Sequence, residues 1–393
     1  MYTSFFRKAM LGDTATLALD FSTGTMPTAV TFTRADSTAR ATYIDASGYV
    51  KTVTAAGDPR FDYTGGVAKG LLVEAAATNL LKNSAYADTS WIAFGGYTKS
   101  ITTGITSPAN DTTAARLSFT AVGHGLYTNN TQMAYTNTVG ATYTMSAWIR
   151  STSGPSNIRF GDSAVATGPN IPITTTWTRY SYSYVAASAS GPVVQSASGT
   201  ATGEFEMWGF QLEQATSPSS YINTTTASLT RLADDAVIRS TAWTSLYAQP
   251  GAMVVEFYRG AYGAGDRSIM STDPTAARHW HLKNANASAT AQIAFSTGSP
   301  VTQTGLTAGL NKVAIAWNAP TPTASFDLCV NGATPTFGGS NVGTTLSTWL
   351  TLGSQSTTGV SGTGVWDGYL NNSIKSVKYY TGLTYAEMQA KTT

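Results

Sequence analysis

Glu204 and Glu206, separated by Phe205, place two carboxylates on one face of any strand that carries them. Two carboxyl groups held close together can share a proton, which is what acid–base work on a glycosidic bond requires. The supply for such a pair is thin: the glutamates are at 74, 204, 206, 213, 256 and 387 only. A pair spaced this way more commonly forms a solvated strand face, and that is the role expected here. His279-Trp-His281 sets two imidazoles on one side of a strand, a spacing that can grip a metal but has no third ligand in view. The expectation is an exposed histidine pair flanking a core Trp280; in the reverse arrangement Trp280 faces out and can stack on a ligand. Asp266, Asp273 and Asn286 could give oxygen ligands to calcium, although no dense acidic loop surrounds them. Otherwise no cofactor is expected.

Aromatic residues suit a different chemistry. A ring can stack on the apolar face of a pyranose while amides and carboxylates reach the hydroxyls. Tyr97 in Gly95-Gly-Tyr97, Tyr127 near Asn129-Asn130, and Tyr262 in Gly260-Ala-Tyr-Gly-Ala-Gly265 lie in loop sequence, where binding residues are most often carried. With Trp280 they form the candidate carbohydrate-binding set. Trp91, Trp148, Trp177, Trp208 and Trp317 sit in strand-like runs and are expected to pack. Cys329 alternates with Phe326, Leu328 and Val330, which predicts a small buried thiol on the opposite face.

The elements that must hold these residues are strands. Charged residues are only 11% of the chain, and short runs of alternating apolar and polar residues recur: Ala114–Phe119, Tyr143–Ile149, Trp177–Tyr182 and Phe205–Leu212, then Ala252–Tyr258, Gln292–Phe295, Asn311–Trp317, Ser325–Val330, Leu350–Leu352 and Ile374–Tyr380. In the second run Tyr143, Met145, Ala147 and Ile149 share a face, with Trp148 on the other. Asn331-Gly332 is a tight-hairpin signal, and Thr384 with Glu387 forms a capping box for one short terminal helix. The fold class is therefore all-β: a short irregular N-terminal leader, residues 1–80, followed by two β-sandwich domains, 81–232 and 233–393. The first is expected as a jelly roll and the second as a concanavalin-like sandwich.

A net charge of +2 without a Lys/Arg cluster argues against nucleic acid as a partner. No run approaches the length of a membrane span, so membrane insertion is not expected. The single cysteine and the lack of a signal-peptide pattern fit folding in a reducing cytoplasm.

Three stretches then carry a resemblance. Phe32–Val50, Pro59–Tyr63 and Lys69–Leu81 closely resemble the leader of phage head-fibre and tail-fibre type structural proteins. Trp208–Gln214 with Ser220–Ile222 looks like the closing strand and exit of a carbohydrate-binding-module jelly roll. Leu352–Ser354, Trp366–Leu370, Ile374–Tyr380 and Leu383–Glu387 resemble the last strands of concanavalin-like and laminin G-like sandwiches. The resemblance implies a non-enzymatic fibre or spike, assembled in the host cytoplasm and carried on the virion, whose leader attaches it to the particle. Its implied partners are other virion proteins, a host-surface polysaccharide and two further copies in a homotrimer. A head-surface decoration protein with a purely structural role is the alternative. A polysaccharide depolymerase is the third reading, and the Glu-x-Asp-x-x-Glu strand motif of concanavalin-like glucanases is missing from the last module.

Overall fold

The computed structural model describes residues 15–85, 91–95, 100–128, 135–153, 156–162, 168–197, 203–239, 241–260, 266–272, 280–285, 288–295, 299–318, 323–342, 347–354 and 369–393. Among these, strands dominate and every strand pairing is antiparallel. The chain builds two sandwiches.

In the middle sandwich, one five-stranded sheet runs in the order Thr178–Val185, Thr142–Ser151, Gly203–Glu213, Ala114–Phe119, Ile101–Ile105. The other runs Ile171–Ile173, Ser156–Asp162, Pro192–Ser196, Gly125–Tyr127, Ile92–Phe94. The alternation expected for Tyr143–Ile149 holds: Tyr143, Met145, Ala147 and Ile149 join Leu117, Phe119, Phe205, Met207 and Phe160 in one buried cluster between the sheets. Trp148 points to the outer face and meets Trp208 and Tyr221 there.

The C-terminal sandwich is larger because the leader belongs to it. Its eight-stranded sheet runs Thr336–Val342, Thr323–Val330, Gly309–Trp317, Gly251–Arg259, Asn372–Tyr380, Val67–Val73, Phe61–Thr64, and Leu17–Asp20 also pairs with Asn372–Tyr380. The facing seven-stranded sheet starts from leader strand Thr31–Arg34 and continues Asp234–Arg239, Trp349–Leu352, Arg267–Thr272, Trp280–Asn284, Thr290–Phe295, Val301–Thr304. Leu19, Phe21, Val30, Leu71 and Val73 lie in the same core as Trp280, Trp317 and Phe326. Each fully buried side chain of this kind stabilises by roughly 1.5–3 kcal/mol, enough to fix strands of four to seven residues to a partner sheet. The 1–80 leader is thus not a unit apart from the sandwiches: its strands Leu17–Asp20, Thr31–Arg34, Phe61–Thr64 and Val67–Val73 are strands of the last sandwich.

Local chemistry explains several details. Gly70 adopts φ +105°, and a Cβ there would lie 2.1 Å from the Ile374 carbonyl oxygen, so only glycine lets Val67–Val73 close on its neighbour. Asn331 and Gly332 both have positive φ, as the tight turn requires. The capping box forms at helix Tyr385–Thr392, which covers the outer face of the large sheet over Ala252, Val254, Ala314, Ala316 and Cys329. The Cys329 thiol is buried as expected. A second helix, Thr241–Tyr247, was not indicated by the sequence pattern. No helix among the described residues is long and apolar enough to cross a membrane.

Candidate binding cleft

The leader does more than complete a sheet. Its hairpin, Thr42–Ile44 paired with Val50–Thr52, lies against the outer face of the middle sandwich, where Val50 and Ile44 pack with Trp148, Trp208 and Tyr221. Thr42 Oγ1 donates to the Tyr221 carbonyl at 2.5 Å. The contact thus joins one apolar cluster to a backbone hydrogen bond.

Beneath the hairpin is an ion cluster of three arginines and three acids. Arg34 bonds Asp36 at 3.0 Å and Asp234 at 2.9 Å; Arg60 bonds Glu74 at 2.7 Å, the Thr42 carbonyl at 3.0 Å, Ser220 Oγ and Asp234; Arg231 lies 3.4 Å from Glu74. All six side chains are buried. Burial alone would raise the Glu74 carboxyl, but Arg60 and Arg231 outweigh it and bring it down to about 2. Burial pulls Arg231 the other way, downward, with repulsion from Arg60 and Arg34 adding to the shift and Glu74 and Asp234 opposing it; its Nη groups also donate to the Leu232 and Ala75 carbonyls. The cluster ties leader, link and last sandwich together around one neutral knot.

Above this floor opens a cleft of about 290 Å³, near the lower end of the roughly 300–1,000 Å³ usual for ligand pockets. Tyr43, Trp148 and Tyr221 give it aromatic walls, with Trp148 and Tyr221 edge to face at 5.7 Å. Asn371, Asn372, Ser219 and Ser220 bring amides and hydroxyls. Asp62 accepts from the Ile44 amide at 2.9 Å and from Lys69 at 3.3 Å; burial pushes its carboxyl up and Lys69 opposes the shift. Asn371 holds Ala75 N–H with its Oδ1 at 2.9 Å. Arg179 lies over the Trp148 ring at 4.7 Å and donates to the Ser219 carbonyl and Ser146 Oγ. A ring face, amides and a fixed carboxylate in one recess can bind a polyhydroxylated ligand.

The same geometry weighs against hydrolysis at the paired acids. Of the two carboxylates lining the cleft, Glu74 is pinned by arginines and cannot serve as a proton donor near neutral pH. At Glu204 and Glu206, Arg116 and Arg150 each reach Glu206 at 2.6 Å, and its carboxyl is lowered: burial opposes the shift, and the two arginine hydrogen bonds win. Glu204 also lies 3.7 Å from Arg116, so the two acids share a cation rather than a proton.

The aromatic candidates divide. Trp280 is fully buried at 0% exposure in the C-terminal core, as the favoured reading of it had it, and this corrects its place in the candidate carbohydrate-binding set: its strand turns the indole inward with Leu282. His281 is 2% exposed rather than on the surface, which corrects the exposed pair; His279 lies outside the described residues. Tyr127 is half-buried on strand Gly125–Tyr127, edge-on to Phe94 at 6.0 Å and apart from the cleft lining. Tyr97 and Tyr262 lie outside the described residues, as do Asp273, Asn286 and the Trp366–Gly368 part of the C-terminal run. Asp266 pairs with Lys283, so its charge is already met by an ammonium group. Among the described residues no group of three or more His, Cys, Asp or Glu side chains could hold a metal. The cleft residues Tyr43, Asp62 and Asn371 were not singled out by their spacing; the one available signal was Trp148, set on the face opposite its apolar neighbours.

No family model matches the chain, and no curated protein matches it. Among solved structures, it is similar to the CBM22-1 xylan-binding domain of Paenibacillus barcinonensis Xyn10C, at 13% identity over 38% of this chain and 94% of that one, with a TM-score of 0.26. It is similar to the CBM40 of Ruminococcus gnavus IT-sialidase at 18% identity, 38% and 86% coverage and a TM-score of 0.27. It is also similar to domains LG4-5 of the mouse laminin alpha1 chain at 9% identity, 80% and 92% coverage and a TM-score of 0.24. At these TM-scores the neighbours decide nothing about this chain, whose all-β sandwich class rests on its own sheets.

Proposed function

We propose that the chain is a non-catalytic glycan-binding structural protein of a bacteriophage particle, a fibre or spike that recognises a host-surface polysaccharide. The observation that carries the binding half is the cleft, where Tyr43 and Trp148 meet Asn371, Asn372 and a lysine-paired Asp62. The virion half is supported by the resemblance of Phe32–Val50, Pro59–Tyr63 and Lys69–Leu81 to phage fibre leaders. The arginine clamps on Glu74 and Glu206 favour binding without turnover. A homotrimer would make a small recess effective, since linked copies raise avidity without new contacts.

The decoration reading has one observation in its favour: Val139 and Val185, both more than 60% exposed, lie close together at the end of the middle sandwich, where Gly140 bonds the Ala186 carbonyl. Immunogold imaging of intact particles with an antibody to residues 233–393, together with a glycan array probed with the purified chain, separates the two. Label on fibres or the tail with array binding lost in Tyr43→Ala supports the adhesin. Label spread over the head with no array binding overturns it.

A further inference from the structure

Four arginines gather where the leader meets the middle sandwich, and three of them have carboxylate partners. Arg34, Arg60 and Arg231 pair with Asp36, Asp234 and Glu74. Arg179 is different. Among the described residues its hydrogen bonds go only to neutral oxygens, the Ser219 carbonyl at 2.7 Å and Ser146 Oγ at 2.9 Å. Two of its five N–H groups are used in these bonds.

The acid that could offset Arg179 is Glu213, which stands behind Ser219. Its oxygens accept from Ser219 N–H at 3.0 Å, Ser219 Oγ at 2.6 Å and Gln211 Nε2 at 2.8 Å, and it forms no ion pair with Arg179. Within the cleft, Asp62 is matched by Lys69, and Glu74 by Arg60 and Arg231. The Arg179 guanidinium, 4.7 Å over the Trp148 ring, is thus the one cleft charge without a direct counter-ion among the described residues. Buried or half-buried charge is stable when paired, and the planar guanidinium is suited to carboxylate.

Resting on the glycan-binding reading above, we propose that this cleft selects an acidic sugar, with the ligand carboxylate bound at Arg179 while Tyr43 and the Asn371 and Asn372 amides hold the ring. Neutral sugars lack the group that completes the charge balance.

The test is calorimetric titration of the purified full chain with glucuronate, galacturonate and mannuronate, each compared with its methyl ester, which keeps the sugar and removes the charge. One charge-assisted contact should favour at least one acid over its ester by about tenfold to hundredfold, and the advantage should shrink as salt rises. Arg179→Gln should abolish the preference of acid over ester. Should that variant not fold, Arg179→Lys, which keeps the charge, provides the second comparison and should retain a reduced preference. Esters binding as well as acids would overturn the proposal and leave glycan binding standing. No binding of either form would overturn both.

Discussion

Replacing Glu74 by Gln removes one negative charge from the buried knot and changes almost nothing in shape. The Ser220 N–H, 2.8 Å from Glu74 Oε1, can still bond the amide oxygen, but Arg60 and Arg231 lose the charge they share. The magnitude follows from the carboxyl itself, which titrates at about 2 in the fold against an ordinary 4.5. At about 1.4 kcal/mol per unit, that difference is worth roughly 3 kcal/mol above pH 4.5. Removing one partner from a buried pair typically costs roughly 3–5 kcal/mol, an independent route to the same scale. A depressed acid contributes its full stability above its unfolded value and loses it as pH falls through the folded one, here between 4.5 and about 2. Urea unfolding followed by tryptophan fluorescence should therefore show Glu74→Gln about 3 kcal/mol less stable at pH 7, with the gap to wild type closing as pH falls below 4.5. A loss under about 1 kcal/mol at pH 7, or a gap unchanged down to pH 3, would refute the charge-balance reasoning.

Asp327 has the opposite sign. Burial raises it to about 6, only partly offset by a Tyr385 hydrogen bond, so folding stability falls as pH rises from 3.8 to about 6; Asp327→Asn should gain about 1–2 kcal/mol at pH 7 after discounting for its partial exposure, seen as a higher melting temperature there and none at pH 3.5. Gly70→Ala should cost at least roughly 1–3 kcal/mol from backbone strain alone and more from the Ile374 clash, read as loss of soluble folded protein or of the melting transition. Trp280→Ala should cost roughly 3–5 kcal/mol by opening a core cavity, while the folded fraction keeps its glycan binding; loss of binding in protein that is still fully folded would restore Trp280 as a contact residue.

Much of the sandwich architecture was legible because period-two alternation is local. Expected runs such as Ala114–Phe119 and Asn311–Trp317 appear as strands Ala114–Phe119 and Gly309–Trp317, and the face of Cys329 follows from its neighbours. The leader was not legible in the same way. Its strands Leu17–Asp20 and Thr31–Arg34 are too short to announce a partner, and those partners lie far along the chain: Leu17 faces Tyr379 and Arg34 faces Asp234. Strand pairing over such separations depends on tertiary packing rather than propensity. Trp280 and His281 show a related gap. Alternation assigns them to opposite faces but cannot tell that both faces are covered, as burial at 0% and 2% shows.

The cleft illustrates why binding residues are harder to read than core residues. Loop sequence favoured Tyr97, Tyr127 and Tyr262, yet the described recess draws Tyr43, Asp62 and Lys69 from the leader, Trp148 and Arg179 from the middle sheet, and Asn371 from the last sandwich. No spacing rule connects them; the arginine–acid knot does. Arg60 alone holds four acceptors on separate segments, Thr42, Glu74, Ser220 and Asp234, so hairpin, link and sheet have one relative position that satisfies every bond. An apolar junction of similar size would bury surface with less directional demand, and the hairpin could settle in several registers. Glu74 belongs to both the knot and the cleft wall, so the bonds that fix the junction also fix the shape available to a ligand.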